Sequence, residues 1–237
     1  MSHPAPKALE EAIRSLKSFL ELEKSFGIEA FPSRKAAGRK RGIKEEAVPG
    51  QGELSRLCQE VSTCVKCPLH RGRTQTVFGE GSPSARLLFV GEAPGREEDR
   101  QGRPFVGQAG KLLTKIIEAI GFSREDVYIA NVIKCRPPEN RPPLPEEIFA
   151  CQPYLARQIE LIHPRVICTL GKYAAIVLVR KEEPISVLRG HFYDYQGIPV
   201  MATYHPAYLL RNPSAKRMVW EDMKKVKAVL EKSGNSP

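Results

Sequence analysis

From about Glu53 onward, short apolar runs alternate with longer stretches whose apolar positions recur at helical spacing. The run Leu87-Leu88-Phe89-Val90 stops at Gly91, and Val166-Ile167-Cys168-Thr169-Leu170 stops at Gly171. Apolar runs of this length bounded by turn residues read as buried strands. The pattern predicts a helix and cysteine segment over 53–70, then strands over 86–91, 126–133, 165–170 and 198–203. Between and after them it predicts helices over 108–120, 145–162, 172–180 and 214–232, with Gly121 as a helix stop. Strands with no polar alternation, separated by helices, imply a mostly parallel sheet covered on both faces. The expected fold is therefore α/β, a three-layer α/β/α sandwich around a mostly parallel four-stranded central sheet. Ahead of it, residues 7–26 carry Leu9, Ile13, Leu16 and Leu20 in near-helical register, which predicts an amphipathic helix. The stretch from Gly27 to Gly52 is rich in Gly, Pro and basic residues and reads as a flexible tether. The predicted division is 1–52 for helix and linker and 53–237 for the folded domain.

The loop after the first strand is polar, with glycines at 91, 95, 102 and 107, carboxylates at Glu92 and Glu97-Glu98-Asp99, and one aromatic, Phe105. Open α/β sheets hold ligands at the carboxyl ends of their strands, so this loop is the first candidate site. The last strand leads into Tyr204-His205-Pro206-Ala207-Tyr208-Leu209-Leu210-Arg211, and the second strand closes on Asn131. A parallel sheet brings Glu92, Asn131 and His205 to one edge although they are far apart in the chain. An Asn amide can pair with a donor and an acceptor on one edge of a base, and a histidine can donate to an anionic leaving group. His163, before Pro164, reads as a helix C-terminal cap, and His3 and His70 as surface residues.

Six cysteines, at 58, 64, 67, 135, 151 and 168, are too uneven for a disulfide scaffold. Cys64 and Cys67 form a CxxC pair, and Cys135 and Cys151 flank a stiff proline-rich segment. Four such thiolates suit zinc or an iron–sulfur cluster equally well by count. Cys168, inside an apolar strand, reads as a core thiol, and Cys58 as a bystander on a helix.

A formal net charge of +10 and a pI near 9.4 add a polyanionic partner to this picture, nucleic acid first. No run approaches eighteen apolar residues, and the first residues lack the apolar centre of a secretory signal. The expectation is a cytoplasmic, nucleoid-associated monomer without membrane contact. Two other classes fit parts of the chain. One is a non-catalytic nucleic-acid-binding module stapled by zinc or a cluster. The other is a nucleotide-phosphate enzyme, against which the acidic GEAPGREED loop lacks the Lys-Ser/Thr of a phosphate cradle.

The motifs GEAPGREED (91–99), GRPFVGQAG (102–110), NVIKCRPPENR (131–141) and HPAYLLRN (205–212), with the CxxC pair, stand in a known order. Over about residues 53–230 the chain resembles the family 4 uracil-DNA glycosylases, which carry a [4Fe–4S] cluster. The resemblance implies removal of uracil from DNA, with Cys64, Cys67, Cys135 and Cys151 as cluster ligands. It implies that Phe105 stacks on uracil beside Gly91, that Asn131 reads the N3–H and O4 of the base, and that His205 hydrogen-bonds O2. It places Leu209, Leu210 and Arg211 in a loop that enters the duplex, and Glu98 where the C5 methyl of thymine would sit. Family 1 relatives carry a water-positioning aspartate where this chain has Ala93, so Glu92 becomes the candidate for orienting water. A related group that stays bound to its product has a long basic insertion near the Asn strand. The short Cys135–Cys151 segment here implies turnover instead.

Overall fold

The computed structural model of the chain describes residues 51–232, so the expected helix over 7–26 and most of the linker lie outside the described residues. In chain order the elements are α1 (Gln51–Ser62), β1 (Glu80–Gly81), β2 (Leu87–Gly91), α2 (Arg96–Gln101), α3 (Gln108–Ala119) and β3 (Tyr128–Asn131). There follow α4 (Pro145–Ile162), β4 (Val166–Leu170), α5 (Lys172–Val179), α6 (Ile185–Leu188), β5 (Phe192–Tyr195), β6 (Ile198–Thr203), α7 (Pro206–Arg211) and α8 (Lys216–Lys232).

The sheet order is β1-β3-β2-β4-β6-β5. Its middle four strands are parallel and are the four that the apolar runs predict. Two short antiparallel edges, β1 on β3 and β5 on β6, extend them to six. The edges escape the apolar pattern because β1 has two residues and β5, FYDY, exposes two of its four side chains.

Side chains alternate across the sheet, as the pleat requires. Leu88, Val90, Ala130 and Ile167 face one core with Leu57 and Val61 of α1, Leu155 and Ile159 of α4 and Ala174 of α5. Leu87, Phe89, Ile129 and Cys168 face the other with Leu113 and Ile117 of α3 and Val219, Met223 and Val226 of α8. Both faces are thus covered, and the three layers are present. Cys168 is fully buried, the core thiol expected. His163 ends α4 in the left-handed region (φ 51°), donating its N–H to Ile159 O at 2.8 Å.

The connection from β2 runs outward to β3, while β4 lies on the other side of β2. This reversal opens a crevice at the carboxyl ends of β2 and β4, where doubly wound sheets bind ligands. The end of β6 is secured beneath it. Thr203 Oγ1 donates to buried Asp222 of α8 at 2.5 Å, and Arg189 pairs with the same carboxylate.

Candidate active site

A cleft of about 500 Å³ opens at this carboxyl edge, lined by Glu92, Glu98, Phe105, Asn131, His205 and Arg211 among others. The residues expected from three separate loops thus meet in one place. Asn131 ends β3 opposite Gly91, the last residue of β2. Gly91 is required by packing. A Cβ there would stand 2.4 Å from Asn131 Oδ1 and 2.6 Å from the Phe105 ring, so any side chain would displace both.

Phe105 is held in a left-handed backbone conformation (φ 52°), a strain of about 1–3 kcal/mol for a non-glycine residue. Several contacts over-determine it. Arg124 donates to Pro104 O at 2.9 Å and to Phe105 O at 3.3 Å. Glu98 Oε1 accepts from the next two amides, Val106 N at 2.9 Å and Gly107 N at 3.0 Å. Gly110 of α3 lets the Phe105 carbonyl approach, since a Cβ at that position would lie 1.8 Å from it. The aromatic ring is consequently presented to the cleft by a rigid support.

Asn131 is 1% exposed, and its Oδ1 has no hydrogen-bond partner among the described residues. A buried carbonyl oxygen without a partner costs about 1–3 kcal/mol, so its orientation into the cleft points to a donor that a ligand supplies. His205 caps α7, and its Nδ1 accepts from Ala207 N at 3.1 Å. With Nδ1 an acceptor, the neutral ring carries its proton on Nε2, which is left free to donate. The Phe105 and His205 rings lie 5.5 Å apart. Burial, reinforced by the nearby Arg211 charge and opposed by Glu98, pushes the His205 pKa down to about 4, so the ring is neutral at physiological pH. Burial pushes the Glu92 carboxyl up to about 7.

The three residues expected of the α7 loop are placed differently. Leu209 is 0% exposed and packs into the α3–α8 core. Leu210, 47% exposed, and Arg211 are the residues of that turn that face outward. The reason is helical periodicity, which turns neighbouring side chains roughly 100° apart. The cleft also contains residues that spacing alone did not single out, namely Pro137, Asn140, Arg141 and Tyr208. Asn140, in the left-handed region at φ 55°, sits beside Arg141, whose guanidinium grips Glu147 at 2.6 and 2.9 Å.

Cys64, Cys67, Cys135 and Cys151 line a second cavity, behind β3, together with Lys134, His70, Arg73 and Tyr154. His70 is half-buried at the edge of this cavity, its Nδ1 2.8 Å from Cys67 O. All four cysteines are free thiols. No three His, Cys, Asp or Glu side chains among the described residues are grouped to hold a single metal ion. The thiols instead border one small shared cavity of about 10 Å³. Amide or guanidinium donors already point at sulfur. Arg73 Nη1 lies 3.2 Å from Cys135 Sγ, Lys134 N 3.3 Å from Cys151 Sγ and Lys66 N 3.5 Å from Cys64 Sγ. Four soft donors with N–H groups and cations directed at them suit an anionic metal–thiolate centre.

No helix among the described residues is long and apolar enough to cross a membrane. Residues 78–224 match the sequence model of the Uracil DNA glycosylase superfamily. The type-4 uracil-DNA glycosylase of Thermotoga maritima is 50% identical over 187 residues, covering 77% of this chain and 97% of that protein. That of Saccharolobus solfataricus is 49% identical over 186 residues, covering 75% and 86%. The type-5 uracil-DNA glycosylase of Pyrobaculum aerophilum stands further off, 31% identical over 181 residues, covering 67% and 79%. With the cleft, the four thiols and this margin of identity together, the chain belongs to the uracil-DNA glycosylase superfamily, among its type-4 members.

Proposed function

We infer that this chain is a monofunctional DNA repair glycosylase that hydrolyses the N-glycosidic bond of uracil in DNA, releasing the free base and leaving an abasic site. The observation that carries this is the unpartnered Asn131 Oδ1 facing the same cleft as Phe105 and a neutral, Nε2-protonated His205. Uracil offers what those groups lack. Its N3–H satisfies the Asn oxygen, its O4 accepts from the Asn amide, its ring stacks on Phe105, and its O2 accepts from the His. Cytosine has no N3–H and presents a donor in place of O4, so both Asn groups would stay unpaired.

The target base must leave the duplex stack, which costs a few kcal/mol and is easiest for mismatched or single-stranded uracil. Leu210 and Arg211 fill the gap, while the basic surface holds phosphates. As the C1′–N1 bond stretches, the sugar gains positive charge and uracil becomes an anion with charge on O2. A preorganised donor at that oxygen, here His205 Nε2–H, is worth about 3–4 kcal/mol. Glu92, ionised, orients the water that attacks C1′. Glu98 narrows the cleft where a C5 methyl would lie. Cys64, Cys67, Cys135 and Cys151 hold a [4Fe–4S] cluster, which supplies a cross-link between the segment after α1, the end of β3 and α4 in a reaction that needs no electron transfer. Residues 53–237 make up the enzyme domain, residues 1–52 an amphipathic helix and a basic linker, and the protein works as a monomer on cytoplasmic, nucleoid DNA.

The test is alkali-revealed cleavage of a labelled oligonucleotide holding one uracil, beside matched thymine and cytosine controls. Cleavage at uracil alone is expected, and Asn131→Ala or His205→Ala should lower the single-turnover rate by about a hundred- to a thousandfold with unchanged melting. Intact uracil strands after incubation with cluster-loaded protein would favour a non-catalytic DNA-binding module instead.

A further inference from the structure

Lys134 is a lysine at the centre of the fold, 1% exposed, three residues after Asn131 and one before Cys135. Lysines are almost never fully buried unless their charge has a partner. Here Nζ donates to two neutral oxygens, the main-chain carbonyl of Asn131 at 2.7 Å and Gln158 Oε1 at 2.5 Å. No carboxylate among the described residues pairs with it; its residue lines the cysteine cavity, and its own N–H donates to Cys151 Sγ. Gln158, 0% exposed, relays the contact through Nε2 to Phe78 O at 3.0 Å. It stands two turns beyond Cys151 on α4, the helix that carries that cysteine. Lys134 thus touches the residue whose amide faces the cleft through Nζ and a cysteine of the second cavity through its main chain.

We propose that Lys134 is a positioning residue for base recognition, binding the Asn131 carbonyl so that the end of β3 presents its amide at a fixed angle. This rests on the uracil-excising reading of the cleft. An ammonium has three donors, and two are used on neutral acceptors, the Asn131 carbonyl and Gln158 Oε1. Removing the charge while keeping the chain length frees the Asn131 carbonyl without touching any group that meets DNA. The loss then falls on the chemical step, where a misplacement of about 1 Å costs about a hundredfold, and not on substrate affinity, which phosphate contacts set.

The experiment compares wild type, Lys134→Met and Gln158→Met on an oligonucleotide with one uracil, measuring kcat, KM, iron per chain and melting temperature. For Lys134→Met we expect kcat down about 10- to 100-fold, KM within about threefold, and iron content unchanged. Should that variant fail to fold, Gln158→Met, which leaves the Asn131 contact and removes the second acceptor together with the bond to Phe78 O, should still lower kcat several-fold with iron retained. Unaltered kcat in the folded variants, or a loss of rate that tracks iron content alone, overturns the proposal while leaving the functional reading in place. Wild-type protein that leaves uracil uncut overturns the functional reading, and this proposal with it.

Discussion

Glu92 lies one residue beyond β2, where desolvation disfavours its charged form and carries its pKa up to about 7. The form that can orient and deprotonate water is the anion, so activity is gained as pH rises through about 7. His205, with its pKa near 4, is already neutral across that window and adds no opposing limb. The expected profile of kcat/KM therefore climbs to about pH 7 and stays flat above it, and Glu92→Gln should remove the climb along with most of the rate. A profile already flat between about pH 5 and 8 would sink the assignment. At this scale Phe105, Asn131 and His205 were legible together, as residues that a parallel sheet brings to one edge, while their individual roles came from the family resemblance. Arg124 was not. Its role depends on carbonyls at 104 and 105, some twenty positions earlier, which only the packing of α3 against the loop brings to it. Gly91 sits between these cases: its place in a glycine-rich loop was evident, yet the reason is Asn131 Oδ1, which would stand 2.4 Å from any Cβ there.

Elements separate the two leucines of α7. The sequence HPAYLLRN presents Leu209 and Leu210 as equals, but the helix turns one into the core and the other outward. Leu209→Ala should therefore act on stability, costing about 2–5 kcal/mol through the cavity it leaves. Leu210→Ala should leave the melting temperature nearly unchanged and slow excision from duplex DNA more than from single strands, because only the duplex needs the gap filled. Chemical denaturation and paired duplex and single-strand assays distinguish them; equal effects of both variants on stability would contradict the helical facing. The strands show the same division. The four parallel strands were readable because burial on both faces imposes an unbroken apolar run. The edge strands β1 and β5 were not, since one is two residues long and the other meets solvent, so neither carries a pattern that sets it apart from a loop.

For the molecule as a whole, the four cysteines stand on the turn after α1, the end of β3 and the second turn of α4, three segments that are otherwise joined by packing, by Arg73 and by the contacts of Lys134 to Cys151 and Gln158. A group bound only by the folded state stabilises it by mass action, and thiolate ligation is part of the folding energy. Stripping iron from the protein should lower the melting temperature by at least about 5 °C and abolish a visible absorbance band together with excision. An iron-free protein that melts at the same temperature would show that the four thiols are not a staple. The alternation of apolar runs and helical stretches was sufficient for the layered α/β arrangement, because burying both sheet faces leaves few other ways to cover such strands. Residue types and placement were likewise sufficient to single out the candidate site residues, whose roles the family resemblance implied. What spacing along the chain did not contain was direction: which of two leucines faces solvent, which nitrogen of His205 is free, and which side chains stand behind Phe105 and Asn131. Those follow from contacts between segments tens of residues apart, and such contacts exist only once the sheet has brought their ends together.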